Sequence, residues 1–470
     1  MPDFDLIVIG AGAAGLSVTA GAAQLGARVA LIERERMGGD CLNTGCVPSK
    51  AMLAASHAVR AGREAARLGI RFADPVIDWT AVGTHVQGVI DAIAPTDSEE
   101  RFRGLGATVI RAEARLAGPD SVSVDGRTLS GRRIVIAAGS RAAVPAIPGL
   151  EEVGYLTNAS VFGLAERPEH LLILGGGPIG LEMADAFAGL GARVTVIQSS
   201  RIANREDPVL VAGLREALLA RGISIIEETG VSGVVAGPAL VLADGRRIEG
   251  SHLLVATGRR PNLEDLDLDR GGVSATPVGI TTDAGLRSVS NRRVFAVGDI
   301  ADPVGIGPRA FTHVGGYHAG IVIRRALFRL PARIDYAALP RVTYTDPELA
   351  QVGLTEAEAR KAGLDVSVLE WKLAENDRAI AERDTLGMAR IVVSRGRVVG
   401  AGILGAHAGE MIGTWTLAIA QRVKLSALAG MIVPYPTRAE IGKRAIGTHF
   451  AARLFSDRTR MLVRWLAKLG

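Results

Sequence analysis

A chain of 470 residues, 48% of them apolar and 58 of them glycine, is long enough for two to four domains and apolar enough for a substantial core, which excludes a disordered polymer. The net charge of +5 is the small remainder of 54 basic and 49 acidic residues, which excludes a dedicated nucleic-acid-binding face. Two cysteines in the whole chain exclude a disulfide-stapled scaffold.

The first predicted strand, Ile7-Val8-Ile9, runs into Gly10, Gly12 and Gly15 and then an Ala-rich helix, and a second strand closes the unit at Val29-Ala30-Leu31-Ile32-Glu33. Leu6 to Ala27 carries no charge, yet acidic residues precede it and glycines break it, so it reads neither as a signal peptide nor as a membrane span. A cytoplasmic protein is expected. The first glycine permits a tight turn, the second lets backbone approach a pyrophosphate, and the third lets helix pack on strand, leaving the helix N-terminus facing the phosphates. Glu33, eighteen residues after Gly15, can accept bonds from ribose hydroxyls, as FAD or NAD requires.

Both cysteines follow within Gly38-Gly39-Asp40-Cys41-Leu42-Asn43-Thr44-Gly45-Cys46-Val47-Pro48-Ser49-Lys50. Five apart in a turn entering a helix, they predict a redox dithiol, because backbone N–H groups and nearby cations make thiolates reactive there. The alternative is a stabilising disulfide, which gains little by closing so short a loop.

The opening unit then recurs at a constant offset of 165: Gly175, Gly177 and Gly180 repeat the glycines, and Leu190 to Gln198 repeats Leu25 to Glu33. Two such units predict two dinucleotide sites. The copies differ at the strand end, where Gln198 replaces Glu33 and Arg201 follows, which favours NADPH over NADH at the second site. Three further strand ends run apolar into small residues: Ile134 to Ala138-Gly139, Leu253 to Gly258, and Val294 to Gly298-Asp299, where Asp299 can bond polyol hydroxyls. Ordinary turn chemistry is the alternative for these glycines. With the two glycine units, Glu33, Gly39, Thr44, Gln198 and Arg201, they complete the candidate cofactor-binding residues.

Taken with Thr343-Tyr344-Thr345-Asp346-Pro347-Glu348 and Val352-Gly353-Leu354-Thr355-Glu356 near the C-terminus, these motifs make the chain resemble the class I pyridine nucleotide-disulfide oxidoreductases, the flavoprotein family of dihydrolipoamide dehydrogenase, glutathione reductase and mercuric reductase. The resemblance implies an α/β fold with two Rossmann-like dinucleotide-binding domains, for FAD and NAD(P), plus a C-terminal α+β dimerisation domain. It places FAD on residues 1–145 and 266–335, NAD(P)H on 146–265, and the interface of a homodimer on 336–470. It also implies that electrons pass from nicotinamide through FAD to a Cys41–Cys46 disulfide and on to an acceptor. Cys46 would lie against the flavin, Cys41 would meet the substrate, and Lys50 would pair with Glu182.

Relatives that exchange dithiols carry a His-Pro pair and a following Glu, reaching from the partner subunit as acid-base groups. Here the matching stretch is Pro434-Tyr435-Pro436-Thr437-Arg438-Ala439-Glu440, with Tyr435 in place of histidine. A phenol of pKa about 10 stays protonated at neutral pH and shuttles no proton. Mercuric reductases resemble this chain in that tyrosine and in Arg205-Glu206-Asp207-Pro208. Their C-terminal cysteine pair is missing, as is an N-terminal metal-binding domain before the first strand.

The leading expectation is therefore a mercuric-reductase-like FAD-dependent NAD(P)H oxidoreductase acting on a soft metal ion or small oxidant. A dihydrolipoamide dehydrogenase or other disulfide reductase is the alternative, and a flavin redox sensor without turnover the second. No histidine cluster has metal-ligand spacing, although His313 is a candidate substitute for the missing acid-base group. The tail from Gly447 to Gly470 sets Arg453, Arg458, Arg460, Arg464 and Lys468 against Asp457, with Phe455, Leu462, Leu466 and Leu469 at helical spacing. It reads first as a terminal helix packed on the dimer and second as a membrane-surface helix.

Overall fold

The computed structural model describes residues 1–469, without the side chains of Ala452 and Arg453. Of the expected basic tail, the Arg453 side chain and Gly470 thus lie outside what is described. The chain divides into two compact units: Met1–Met52, Asp78–Arg167 and Leu254–Ile334 form the first, and Leu53–Ile77, Pro168–Leu253 and Asp335–Gly470 the second.

The first unit is built on a parallel sheet in the order Thr108–Arg111, Val29–Glu33, Phe4–Ile9, Arg127–Ile136, with Val294–Ala296 pairing beyond Arg127–Ile136. Ile7 stands opposite both Ala30 and Ile134, and Leu6 to Ile9 are buried, as a strand covered on both faces requires. The helix Ala13–Gln24 packs on Thr312–Ala326 through small residues: a Cβ on Gly315 would fall 3.0 Å from that of Ala14. Ser121–Val124 and Ala114–Gly118 continue the sheet as antiparallel strands.

In the second unit the strands His170–Leu174, Arg193–Ile197 and Ser224–Ile226 pair in parallel, and the helix Pro178–Gly189 follows the first of them. This repeats the β-turn-α-β arrangement of the chain's opening, as the offset of 165 predicted. Beyond it lies a five-stranded antiparallel sheet, Pro340–Thr343, Glu348–Gly353, Arg397–Gly405, Met388–Ser394 and Ser367–Lys372. Helices Ala408–Ala420 and Glu440–Leu454 pack on this sheet, with Trp415 buried in its core cluster. The α/β class with two Rossmann-like parts and a C-terminal α+β domain is thus present.

One charged cluster braces the second unit. Asp185, 2% exposed, bonds the Arg221 guanidinium at 2.8 Å and the Asp346 N–H at 2.8 Å, while Arg60 reaches Asp346 at 2.6 Å. Burial opposes ionisation of Asp185, but His57, Arg221 and Arg60 outweigh it and hold the carboxyl below its ordinary range. A depressed carboxyl contributes stability that is present above the unfolded pKa, about 4, and lost as pH falls through the folded value. Asp185→Asn is expected to lower stability by about 3 kcal/mol, since it leaves buried cations underpaired. Chemical denaturation should find the same gap at pH 7 and pH 5, closing only below about pH 4.

No helix among the described residues is long and apolar enough to cross a membrane. The last helix, Asp457–Leu466, has no buried residue.

Candidate active site

In the first unit, the strand Phe4–Ile9 ends in Gly10 at φ +101°, where a Cβ would stand 2.5 Å from the Ala137 carbonyl oxygen. Only glycine fits that turn. The next helix starts at Ala13, so its first N–H groups face the space beside the loop. Glu33, the last residue of its strand, accepts from the Ala11 N–H at 2.7 Å and the Glu35 N–H at 2.7 Å. Glu33 borders an open cleft lined also by Gly10, Arg34, Glu113, Ala138 and Asn262. Asn262 fixes that rim by donating to the Ala138 carbonyl at 2.7 Å. An anion-accepting helix end with a carboxylate at the neighbouring strand end fits a dinucleotide's phosphates and ribose.

The cysteine turn is seated on this loop. Gly38 donates its N–H to the Ala11 carbonyl at 2.9 Å, and a Cβ on Gly39 would lie 2.7 Å from Gly12 Cα. Cys41 sits in the short helix Gly39–Thr44 and Cys46 opens the helix Cys46–Glu64. Between them Gly45 lets the turns close: a Cβ there would meet the Asp40 carbonyl oxygen at 2.9 Å and Cys41 Cα at 3.2 Å. Both cysteines are thiols here rather than a disulfide. A hydrogen bond with the Cys46 sulfur, then burial, pushes the Cys41 thiol well above its ordinary pKa. Cys46 is the more open of the two, and its sulfur lies 3.3 Å from the Thr312 hydroxyl. Lys50 follows Cys46 by one helical turn, half-buried, with its ammonium 3.5 Å from the Ser49 hydroxyl.

Beside Cys41, Asp40 anchors a network that the motifs did not announce. Its carboxylate accepts from Arg259, from the Thr44 hydroxyl and from the Asn158 amide at 2.9 Å. Arg259 also donates to the Ser140 hydroxyl at 2.7 Å and carbonyl at 2.8 Å, and the Ser140 hydroxyl donates to Asp299. Burial raises the Asp299 pKa, Ser140 and Arg259 oppose the rise, and Asp40 adds to it. The network joins Asp40, Thr44 and Asp299 into one charged floor next to the dithiol turn. Ser140 directly follows Gly139 and Arg259 directly follows Gly258, so a polar residue after each ligand-approach glycine was the available signal. Gly298 lies at the same floor, its N–H donating to His318 Nδ1 at 3.0 Å, and burial holds His318 down to about 4.

In the second unit, Gly175 turns the chain at φ +119°, and Gly177 has no protein atom within 4 Å of a built Cβ, leaving room for close ligand approach. Gly180 lies so near the Gly175 carbonyl oxygen, 1.9 Å from a Cβ, that no side chain fits. The Gly176 N–H donates to Gln198 Oε1 at 2.7 Å, reproducing the Ala11–Glu33 bond with an amide in place of a carboxylate. Arg201 is two-thirds exposed and bonds Glu228 at 3.3 Å. Glu182 is buried on Pro178–Gly189 and accepts the Tyr344 N–H at 3.1 Å. The Tyr435 hydroxyl donates to Asp377 at 3.0 Å, which raises the phenol's pKa and leaves it further from proton shuttling at neutral pH. Glu440 accepts the Thr437 N–H at 3.3 Å at the start of the last sheet-packed helix. Among the described residues no group of three or more His, Cys, Asp or Glu could hold a metal ion.

Two glycine turns leading into helices, with a cysteine pair seated on one of them, are the features expected of a nucleotide-dependent dithiol oxidoreductase. The chain belongs to the pyridine nucleotide-disulphide oxidoreductase family, whose model matches residues 4–357, with the family's dimerisation domain matching 339–446. Enzymes of this family use FAD and NAD(P)H. The mercuric reductase of Streptomyces lividans is 36% identical over 460 residues, covering 95% of this chain and 96% of that one. The dihydrolipoyl dehydrogenase of Geobacillus stearothermophilus is 32% identical over 457 residues, covering 94% and 95%. Among solved structures, the Cu(II) complex of the HOCl-induced flavoprotein disulfide reductase RclA from Escherichia coli superposes with a TM-score of 0.82, at 25% identity over 94% of this chain and 98% of that one.

Proposed function

We propose that this chain is an NADPH-preferring flavoprotein that delivers electrons through Cys41 and Cys46 to a soft metal ion or small oxidant, as a homodimer. The observation that carries this reading is the cysteine turn bonded directly onto the first glycine loop, through Gly38 and Ala11 at 2.9 Å. FAD, bound on that loop, supplies the two-electron exchange between reduced nicotinamide and thiols. In the oxidised chain Cys41 and Cys46 form a disulfide; two electrons and two protons return them to thiols, and the pair gives two electrons to the acceptor and releases two protons to solvent as the disulfide re-forms. A soft cation suits two sulfur donors, and its reduction needs no proton delivered to a leaving thiol. Tyr435, a phenol that donates to Asp377 and shuttles no proton at neutral pH, is compatible with that chemistry. Lys50, Glu182, Tyr435 and Glu440 are assigned to the reacting centre by family likeness, with 146–265 as the nicotinamide-binding part and 336–470 as the dimer interface.

The relatives named mercuric reductase support the metal acceptor, and the relative named dihydrolipoyl dehydrogenase supports the second reading, a disulfide acceptor. An acceptor panel separates them: purified protein with NADPH or NADH is assayed against Hg²⁺, Cu²⁺, lipoamide and glutathione disulfide. Turnover is expected with a metal ion; fast lipoamide turnover would reverse the order, and no turnover with any acceptor would leave a redox sensor.

The donor preference rests on Gln198 and Arg201, an amide and a cation where a ribose-binding carboxylate would repel a 2′-phosphate. Arg201→Gln is expected to raise KM for NADPH about 10-fold, the loss of one charge-assisted bond, while leaving KM for NADH nearly unchanged. Parallel increases for both nucleotides in steady-state assays would remove Arg201 from the phosphate site.

A further inference from the structure

We propose that the C-terminal helix Asp457–Leu466 docks on an anionic lipid surface, lying in the headgroup plane rather than crossing the bilayer. From Leu454 onward every described residue except Ser456 and Thr459 is exposed, and the helix buries none of its ten residues within the chain. Its side chains are sorted. Arg460 and Arg464, four apart, share one face, while Leu462, Trp465 and Leu466, at i, i+3 and i+4, share the other, and Lys468 and Leu469 follow the last turn of the helix. Arg458 stands at the N-terminal end of the apolar row, where a long side chain can bring its charge up to the headgroups. Asp457 is the helix's one acid and bonds Arg460 at 3.5 Å, so four cations face one carboxylate between Asp457 and Lys468.

A strongly two-faced, cationic helix with tryptophan on its apolar side and low overall hydrophobicity is the form that binds membrane interfaces. A second copy of the chain is a poor occupant. The helix of ten residues is about 15 Å long and about 10 Å across, so one face offers roughly 150 Å², against about 800 Å² per partner in a stable protein interface. The segment matching the family's dimerisation domain ends at residue 446, before this helix begins, so within the 336–470 part assigned to the dimer the proposal sets this helix apart from the contact between copies. Anionic headgroups complement the charge, and acyl chains take the leucines and tryptophan.

The test uses the full-length flavoprotein and sedimenting phosphatidylcholine vesicles, with or without about 30% phosphatidylglycerol, at about 0.1 M salt. Binding is expected to the anionic vesicles only. The charge reversal Arg460→Glu/Arg464→Glu/Lys468→Glu should lower it at least about 10-fold, and Trp465→Ser/Leu466→Ser, which keeps the charge, by about 10-fold. NAD(P)H oxidation in solution, melting temperature and gel-filtration size should stay as in the parent for both variants. Equal binding to both vesicle types, binding to neither, or charge reversal without effect overturns the proposal. So does a change in subunit number on charge reversal, which would assign the helix to a contact between copies.

Discussion

Cys41→Ser is expected to cut acceptor reduction by about 10³-fold or more while the protein keeps its bound flavin. A serine hydroxyl cannot form the disulfide with Cys46, so the exchange of two electrons at sulfur is lost as a whole rather than weakened. The substitution changes one atom in a helix of six residues whose backbone is fixed by Gly38 and Gly39 on the glycine loop, so the cradle survives. Stopped-flow and steady-state assays with NADPH, with flavin absorbance measured on the same sample, check both halves. Turnover within about 10-fold of the parent would mean that electrons leave the protein without using the pair.

The second large effect concerns the loops themselves. At Gly15 a Cβ would lie 1.9 Å from the Gly10 carbonyl oxygen and 3.0 Å from its carbon, both backbone atoms with no rotamer to escape through. Gly15→Ala must therefore open the turn, and it is expected to cost about 2–4 kcal/mol and to strip most of the flavin. Gly180→Ala meets the Gly175 carbonyl oxygen at the same 1.9 Å in the second loop. That variant should keep its yellow colour and lose NAD(P)H binding. Absorbance at saturation, nucleotide titration and chemical denaturation distinguish the pair, and a Gly15→Ala protein with full flavin content would remove this loop from the cofactor site.

The parts of the site readable in the sequence are those governed by neighbours along the chain. A strand, a glycine turn and a helix constrain one another within some fifteen residues, so Gly10 to Gly15 and their repeat at Gly175 to Gly180 announce themselves, as does the pair Cys41 and Cys46. The Asp40 network depends instead on groups far apart: Arg259 lies 219 residues from Asp40, and Asp299 lies 159 from Ser140. No periodicity records such a meeting; only folding creates it. The division of the helix Cys46–Glu64 between the two units, at Met52 and Leu53, likewise has no mark in composition. The amphipathic order of the final helix was visible in its spacing, but its exposure depended on what the rest of the chain packs against.

The paired bonds from Ala11 to Glu33 and from Gly176 to Gln198 carry a consequence for how such a unit varies. Both receptacles inherit one geometry, and at this point they differ by the exchange of an oxygen for a nitrogen at the tip of one side chain. A repeated module thus keeps its backbone frame while the polarity it presents at the strand end changes, so chemistry and shape are separable in it.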